Sequence, residues 1–323
     1  MKYLIGFVTS VLAVVVMTDV VKTQQASNAW TGAFTFVQIS DVHLGHTKYV
    51  ANQVTDLQTS LYDEAIRQIE NLRPKPLFVV VTGDLVDGVG SDAEGKPYWL
   101  KEFPEFVSHS KAFTIPLYLV PGNHDVSSNS DAGTVTDYLT QIKVLNSTQR
   151  DYYSFNRRGC HFVVLNATEF VTHDGSMKGL KDAQLRWLET DLSSVAAKSA
   201  THIVVFMHQP PFEHSASEED GEYGHSDRAG ENTFDQDRAG MLTLLAEAGV
   251  KSVFAGHLHE NAVGYAGKLS VTTTSSLSPQ TGPGRMKVRP DDCPGFRVVT
   301  VNHDSIASEY KRLYAGTQSC VQP

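Results

Sequence analysis

The amino-acid sequence predicts an α/β fold in which helices cover the faces of β-sheets. Two observations support this fold class. Short apolar stretches typical of buried strands recur along the chain, and stretches with a helical spacing of apolar residues separate several of them. The chain of 323 residues is 41% hydrophobic and 20% charged, which is an ordinary globular composition. This length is ample for a large buried core.

The first half of the chain contains three predicted strands and one predicted helix. The strands are Phe34–Ser40, Leu77–Thr82 and Ile115–Val120, and each ends in a polar turn. Apolar residues at helical spacing mark one face of a helix, formed by Leu57, Leu61, Ala65, Ile69 and Leu72. Pro74 and Pro76 end this helix before the second strand begins.

The second half continues the alternation of strands and helices. Its predicted strands are Tyr152–Arg157 and Cys160–Asn166, which form a hairpin, then Ile203–Met207, Val250–Ala255, Leu269–Thr274, Phe296–Asn302 and Ile306–Leu313. Helical spacing predicts one helix with Leu185, Leu188 and Leu192 on one face, and a second over Met241–Ala248.

The first 29 residues differ from the rest and are predicted to be a signal peptide. Lys2 precedes an apolar run over Tyr3–Met17, which polar and small residues follow, and this order is typical of export signals. The run is shorter than the stretch of about 20 apolar residues that a spanning helix needs. We therefore expect export to a periplasm, cell surface, secretory lumen or medium, with an uncleaved N-terminal anchor as the alternative.

Residues 30–323 are predicted to form a single domain with a polar surface loop at 213–237. That stretch is rich in acidic, Gly and His residues, which predicts either a solvated excursion or a rim over a pocket. Cys293 and Cys320 both lie in the C-terminal region, and a bridge between them would suit an oxidising compartment. Cys160 lies in an apolar stretch and is expected to be a buried thiol.

The charge of the chain bears on its partners. The formal net charge is −9 and the sequence contains no run of clustered Lys and Arg. Proteins that bind nucleic acid need such clusters to neutralise backbone phosphates. The composition therefore argues against nucleic acid as the main partner.

Five short polar motifs follow predicted strands and carry the residue types of a metal site. They are Asp41-Val42-His43, Gly83-Asp84, Gly122-Asn123-His124-Asp125, His208 and Gly256-His257-Leu258-His259. Each motif alone is weak, but ligand sites in α/β sheets collect at the carboxyl ends of strands, so the ordered set is expected to converge. Carboxylates, imidazoles and one amide together suit Mn, Fe or Zn better than Ca or Mg alone.

These ordered motifs resemble those of the calcineurin-like metallophosphoesterase superfamily, over Val37 to Asn261. The resemblance implies a sandwich of two mixed β-sheets flanked by helices, with a two-metal site on its rim. Carried over to this chain, it implies one metal held by Asp41, His43 and His259, another held by Asn123, His208 and His257, and Asp84 as the bridge between them. His124 would then stand beside the scissile ester.

The predicted reaction is hydrolysis of a phosphate ester with two divalent metal ions as cofactors. Two ions about 3.5–4 Å apart would clamp the phosphoryl oxygens and lower the pKa of a bridging water, so that a hydroxide attacks phosphorus in line. His124 is the predicted general acid, because an imidazolium gives up a proton near neutral pH.

An orienting carboxylate for His124 has two candidates in the sequence. Asp87 matches the Gly-Asp-x-x-Asp element that supplies this role in the Ser/Thr phosphatase branch, and it is the predicted partner. Asp125, which directly follows His124, is the alternative. A second interpretation of Asp87 is that it only shapes the turn with Gly88.

Departures from known branches of the superfamily bear on the substrate. The Ser/Thr phosphatases place a phosphate-binding Arg-Gly where this chain has Gly88-Val89, and purple acid phosphatases place a metal-ligating Tyr where it has Asp87. The motif string is also that of class III cyclic-nucleotide phosphodiesterases. The tracts Tyr152-Tyr153-Ser154-Phe155 and Val163-Val164-Leu165-Asn166 are similar to those of the subfamily of calcineurin-like phosphoesterase domain-containing protein 1.

The sequence therefore predicts a phosphomonoesterase that acts on a small or singly phosphorylated substrate, since acidic loops near the site would disfavour polyanions. A phosphodiesterase, for example for cyclic nucleotides, would use the same residues and is the alternative. A non-catalytic metal-binding module is a further alternative. All seven ligand positions and the acid carry competent residue types, which argues against that module.

Overall fold

The computed structural model describes residues 30–50, 56–126, 134–146, 148, 150–168, 180, 182–212, 238–278 and 293–313. The predicted signal peptide at 1–29 and the predicted polar loop at 213–237 lie outside these residues. Within them, two mixed β-sheets pack face to face, and helices cover their outer faces. The α/β sandwich that the sequence indicated is therefore confirmed.

Eleven strands are present in the described part of the chain. In chain order they are β1 Phe34–Ile39, β2 Val79–Thr82, β3 Leu117–Val120, β4 Tyr153–Arg157, β5 Cys160–Val164, β6 His202–Phe206, β7 Ser252–Ala255, β8 Ala262–Ala266, β9 Leu269–Thr273, β10 Gly295–Val301 and β11 Ile306–Arg312. The first sheet has the order β11-β10-β1-β2-β3, with β1, β2 and β3 parallel. The second has the order β4-β5-β6-β7-β9-β8, with β5, β6, β7 and β9 parallel.

Helices connect these strands and lie against the outer faces of the sheets. They are α1 Leu57–Glu70, α2 Trp99–Ser110, α3 Val135–Ile142, α4 Asp182–Leu192, the short α5 Val195–Lys198 and α6 Arg238–Glu247, and a π-helical turn covers His46–Val50. Asp56 caps α1, because its carboxylate accepts a hydrogen bond from the Thr59 amide at 3.0 Å.

The sequence analysis missed α2, α3 and the edge strand β8. Pro104 lies inside α2 and removes a backbone donor, which argues against a helix when only the sequence is read. Phe103 and Phe106 on the same helix are fully buried, and this packing outweighs the local preference. In β8 alternate residues are exposed, which is the pattern of an edge strand whose signal is short.

Side chains alternate between the two faces of each central strand. In β1, Val37 and Ile39 pack under α1 and α2, whereas Phe36 points into the layer between the sheets. In β6, Val205 packs against the helices of the second sheet, and Phe206 meets Phe36 from the opposite side at a ring distance of 5.6 Å. Continuous burial on both faces explains why these strands are apolar throughout.

Two further features are the character of the helices and the state of the cysteines. Among the residues with described positions, no helix combines the length and apolar character needed to cross a membrane. Cys160 is a buried free thiol, as its apolar surroundings predicted. Cys293 is disulfide-bonded, and Cys320 lies outside the described residues.

Candidate metal centre

The predicted ligands all follow the carboxyl ends of parallel strands, and the sandwich brings them to one rim. Asp41 follows β1, Asp84 follows β2 and Asn123 follows β3 in the first sheet. His208 follows β6 and His257 follows β7 in the second. Because the two sheets pack face to face, their strand ends form one cluster of polar side chains.

The backbone at this rim adopts a conformation that non-glycine residues rarely take. Asp41, His43, Asp84, His257 and His259 all have positive φ, between 46° and 69°. Arg158, in the β4–β5 hairpin, is the one other non-glycine residue of the described chain with positive φ. Such residues cost on the order of 1–3 kcal/mol each and persist when their surroundings fix them. Five of the seven predicted ligands therefore have this unfavourable backbone conformation.

One group of ligand atoms is formed by Asp41, His43, Asp84 and His259. The Nε2 atoms of His43 and His259 are 3.0 Å apart, and His259 Nε2 lies 3.2 Å from Asp41 Oδ1. His43 Nε2 lies 3.5 Å from Asp84 Oδ2. One donor atom from each of the four residues lies within 4.8 Å of the others, which is compatible with a single ion between them.

A second group is formed by Asp84, His208 and His257, with Asn123 beside it. His208 Nε2 lies 3.2 Å from Asp84 Oδ2, 3.2 Å from His257 Nδ1 and 3.0 Å from Asn123 Oδ1. The same oxygen of Asp84 therefore faces His43 in one group and His208 in the other. That shared oxygen is the geometry a bridging carboxylate requires.

The hydrogen bonds of His208 test whether the cluster fits metal ions. Its Nδ1 lies 2.7 Å from the Thr82 carbonyl, an acceptor, so Nδ1 carries the proton of the neutral ring. Loss of the Nε2 proton then leaves a lone pair that points toward Asp84 and Asn123, as a metal ligand requires. Four imidazoles, two carboxylates and one amide oxygen fit two divalent ions of the Mn, Fe or Zn type.

The charged groups of the cluster shift the pKa values of its side chains. Burial opposes ionisation of Asp41, but the imidazoles of His259 and His208 lower its pKa to about 2. Burial likewise opposes a charge on His208, yet Asp84 and Asp41 raise its pKa to about 9. Burial and the neighbouring His124 lower the pKa of His43. The carboxylates are thus held ionised and attract positive charge to the site.

Residues that the sequence analysis did not single out hold Asp41 in place. Ser40 Oγ donates to its carboxylate, and Ser276 Oγ donates to its carbonyl at 2.7 Å. The His257 amide lies 3.1 Å from Asp41 Oδ2. Ser40 directly precedes a ligand, but Ser276 lies in a loop whose approach to Asp41 no sequence signal reveals.

His124 lies beside the ligand groups, in van der Waals contact with one of them. Its ring packs edge-on against His43 with centroids 4.6 Å apart, and its amide donates to Asp84 Oδ1 at 2.9 Å. Its Nδ1 donates to the backbone carbonyl of Asp87. Burial opposes the charge on this imidazole, but Asp84 and the Asp87 carbonyl raise its pKa. With Nδ1 engaged, Nε2 is the nitrogen that can give a proton to a substrate.

Asp87 and Asp125 occupy different positions around His124. Asp87 contacts His124 through its backbone carbonyl, while its carboxylate accepts from His46 Nδ1 at 2.8 Å. The Asp125 carboxylate accepts from the amides of Gly122 at 2.8 Å and Leu85 at 2.9 Å. Asp125 therefore ties the turn after β3 to the turn after β2. His46, whose side chain is 33% exposed, is a further site residue that sequence reasoning missed.

Comparison with known proteins gives a consistent picture. The family model described as calcineurin-like phosphoesterase matches residues 34–261. Serine/threonine-protein phosphatase CPPED1 of Homo sapiens is 30% identical over 298 residues, which span 90% of this chain and 87% of that protein. The probable glycerophosphodiester phosphodiesterase GpdQ of Arcobacter nitrofigilis is 27% identical over 252 residues, which span 76% of this chain and 78% of that protein.

The fold also occurs among solved structures. A dimetal phosphatase from Danio rerio superposes with a TM-score of 0.57 at 14% identity, and the match covers 86% of this chain and 99% of that one. At this identity the likeness concerns the fold alone.

Proposed function

The chain belongs to the calcineurin-like phosphoesterase family and is a metal-dependent hydrolase of phosphoric esters, and we propose that its substrate is a phosphomonoester. The observation that carries the two-metal reaction is the single oxygen of Asp84 that faces both ligand groups, with His124 beside them. The choice of a monoester is supported by the likeness to the human phosphatase. Two divalent ions, when bound there, supply positive charge for the phosphoryl oxygens and generate a nucleophile from water.

The side chains of this protein then have separate roles in metal binding and in proton transfer. Asp41, His43 and His259 would hold one ion, Asn123, His208 and His257 would hold the other, and Asp84 would contribute to both. His124 donates a proton from Nε2 to the leaving oxygen. The Asp87 carbonyl supports this role, because it fixes the proton on Nδ1 of the neutral ring and stabilises the imidazolium.

The size of the substrate is part of the proposal. The net charge of −9 disfavours polyanionic ligands, so we infer a small or singly phosphorylated compound. The name of the human relative, a serine/threonine-protein phosphatase, supports a phosphomonoester and includes phosphorylated side chains in that class. Mn, Fe and Zn remain the proposed metals on the strength of the mixed nitrogen and oxygen ligands.

We also propose that the protein is exported. The apolar N-terminal run supports this location, and so does the disulfide of Cys293, because disulfides persist in oxidising compartments.

A second candidate activity is phosphodiester hydrolysis. The observation that favours it is the relative named as a probable glycerophosphodiester phosphodiesterase. The same metals and the same acid serve both ester types, so only a comparison of substrates separates them.

The test uses the chain from Trp30 onward, supplied with Mn. Hydrolysis is compared for four compounds, with and without chelator. Inorganic phosphate is measured for an aryl phosphate and a phosphopeptide, the released aryl alcohol for an aryl phosphodiester, and the ring-opened monophosphate for a cyclic nucleotide. We expect chelator-sensitive turnover of the monoesters. Turnover of the diester or cyclic nucleotide alone would replace the proposal by the second candidate. The His124→Ala variant is the control: it should bind both metals and lose turnover of the phosphopeptide, whose basic leaving oxygen needs a proton. If the wild type with both metals bound is inactive on all four, a non-catalytic binding module is the better interpretation.

A further inference from the structure

A buried carboxyl group lies outside the ligand set, close to the loops that carry it. Glu102 is in the first turn of α2, and its side chain is fully buried. Its Oε2 accepts a hydrogen bond from the Gly88 amide at 2.8 Å. Its Oε1 has no hydrogen-bond partner among the described residues. Since a buried carboxyl group is costly unless it is well bonded, its place in the fold needs an explanation.

The amide that Glu102 binds belongs to a peptide group with a second role. The N–H of Gly88 and the carbonyl of Asp87 are the two ends of one peptide unit. Glu102 accepts from the N–H end, and His124 Nδ1 donates to the carbonyl end. Glu102, this peptide group and His124 therefore form a chain of two hydrogen bonds that share one polarisable unit.

Tight packing fixes the spacing of this chain. Gly88 has a φ of +67°, and a Cβ atom there would lie 1.9 Å from the carbonyl oxygen of His124. A Cβ atom at Gly45 would lie 2.6 Å from Glu102 Cγ. Only glycine at both positions allows the loops to approach Glu102 and His124 this closely.

A hydrogen bond to one end of a peptide group strengthens a bond at the other end. Donation of the Gly88 N–H to a carboxyl oxygen moves electron density toward the Asp87 carbonyl, which becomes a better acceptor. A better acceptor holds the imidazole of His124 in one orientation, with Nδ1 toward the Asp87 carbonyl and Nε2 available to the substrate. We propose that Glu102 is a positioning residue for His124 and acts through the peptide group between Asp87 and Gly88. The inference rests on the proposed role of His124 as general acid.

The electrostatics of Glu102 are compatible with this role. Burial raises its pKa to about 8, while the Gly88 hydrogen bond acts in the opposite direction. An oxygen of the carboxyl group can accept from Gly88 in either protonation state. The hydrogen bond therefore persists across neutral pH.

The test compares leaving groups, because a general acid matters most when the leaving oxygen is strongly basic. Glu102→Met keeps the length of the side chain and removes the acceptor, and Glu102→Gln keeps an acceptor oxygen. For an alkyl phosphate we expect Glu102→Met to lower kcat about tenfold, a part of the roughly 10²–10⁴ that general acid catalysis contributes. For a nitrophenyl phosphate, whose leaving group needs little protonation, we expect less than about a twofold change. Glu102→Gln should lose about threefold on the alkyl ester alone.

Two controls separate this role from a purely structural one. Asp56 also accepts a hydrogen bond from a backbone amide of the neighbouring loop, but from that of Gly45, at 3.0 Å. Any loss in Asp56→Asn should be equal for both esters. In a His124→Ala background, Glu102→Met should cause no further loss on the alkyl ester. Thermal melting and Mn titration establish that each variant is folded and binds metal.

The outcomes distinguish the inference from the proposed function. If His124→Ala shows no dependence on the leaving group, the role of His124 fails and the inference fails with it. Two results would overturn the inference alone, provided that His124→Ala shows the dependence on the leaving group. One is an equal slowing of both esters by Glu102→Met. The other is a further slowing of the alkyl ester when Glu102→Met is added to His124→Ala. Should Glu102→Met not fold, the selective loss in Glu102→Gln decides the question, and an equal effect on both esters contradicts the inference.

Discussion

The layer between the two sheets has an aromatic end and a polar end, and the same strands build both. In β1 the inward residue Phe36 is followed two positions later by Gln38. Phe78, just before β2, and Val80 within it lead to Thr82. In the second sheet Phe206 of β6 is followed two positions later by His208. One face of each strand therefore changes from apolar to polar as it approaches the metal centre.

The aromatic end is held by contacts between rings from both sheets. Phe36 stacks on Phe78 with centroids 4.8 Å apart, and it meets Phe206 and Phe254 edge-on at 5.6 Å. These contacts need no defined partner atoms, so the end gains stability from buried area and ring geometry.

The polar end is held by a buried network of hydrogen bonds. Gln38 Nε2 donates to Thr82 Oγ1 at 2.9 Å and to the Ala255 carbonyl at 2.8 Å. Thr274 Oγ1 donates to Gln38 Oε1 at 2.7 Å, and Arg297 Nε donates to Thr274 at 2.9 Å. Such groups are costly to bury unless they are paired, so this end specifies positions and relies on the aromatic end for stability.

The largest expected effect comes from emptying the aromatic end. Phe36→Ala removes a fully buried ring that contacts both sheets, and we expect the free energy of unfolding to fall by about 3–5 kcal/mol. Chemical denaturation measures the change. The exposed Tyr265→Ala should stay within about 0.5 kcal/mol of the wild type. A small loss for Phe36→Ala would mean that the aromatic end is not the main source of stability.

The next effect concerns the metal-binding part of the polar end. At a Mn concentration about 100 times the dissociation constant, bound metal should stabilise the wild type by about 2.7 kcal/mol. Asp84→Ala removes the oxygen shared by both groups, so this Mn-dependent rise in unfolding free energy should disappear together with phosphate release. The exposed Asp304→Ala is the matched control and should keep both. Full Mn-dependent stabilisation of Asp84→Ala would contradict a bridging role.

A smaller effect is expected within the hydrogen-bond network. Gln38→Leu removes the acceptor of the buried Thr274 hydroxyl, and we expect it to cost about 1–3 kcal/mol of unfolding free energy. The direction of the change in unfolding free energy is informative. If the apolar packing of the aromatic end simply continued to the rim, the leucine side chain would be tolerated there. An unchanged or higher unfolding free energy in denaturant titrations would therefore remove the distinction between the two ends.

The smallest effect is the pH dependence of the metal-free protein, to which buried groups of the polar end contribute. The pKa of His208 is raised from 6.5 to about 9, so its contribution to stability is complete below pH 6.5 and is lost as pH rises toward 9. The pKa of Asp125, raised by burial from 3.8 to about 8, acts in the same direction. Glu102, whose pKa burial raises to about 8, contributes in the same direction. We expect a lower melting temperature at pH 9 than at pH 6 without metal.

Metal should reverse this trend, because ligands must lose protons before they bind ions. The Mn-dependent rise in melting temperature should therefore grow between pH 6 and pH 9. A parallel decline with and without Mn would indicate that titration occurs elsewhere in the molecule.

Much of this architecture could be predicted from the sequence, for local reasons. Alternating and helical spacings of apolar residues identify β1, β2, α1 and the hairpin of β4 and β5, because those periodicities follow from backbone geometry. The order of the Asp41, Asp84 and His208 motifs along the chain, each after a strand, placed them at one sheet edge. Helix α2 could not be identified in this way, because Pro104 opposes it locally and only the burial of its aromatic side chains stabilises it.

Tertiary structure alone decided which atoms of these residues meet. The sequence indicated a carboxylate partner for His124, but the fold presents the carbonyl of Asp87, whose carboxylate accepts from His46. Neither the burial of Glu102 against Gly88 nor the 2.8 Å contact between Gln38 and the Ala255 carbonyl has a local signal. Spacing along a chain determines which face a side chain occupies. The identity of a hydrogen-bond partner depends on how separate segments pack, and local periodicity carries no information about that packing.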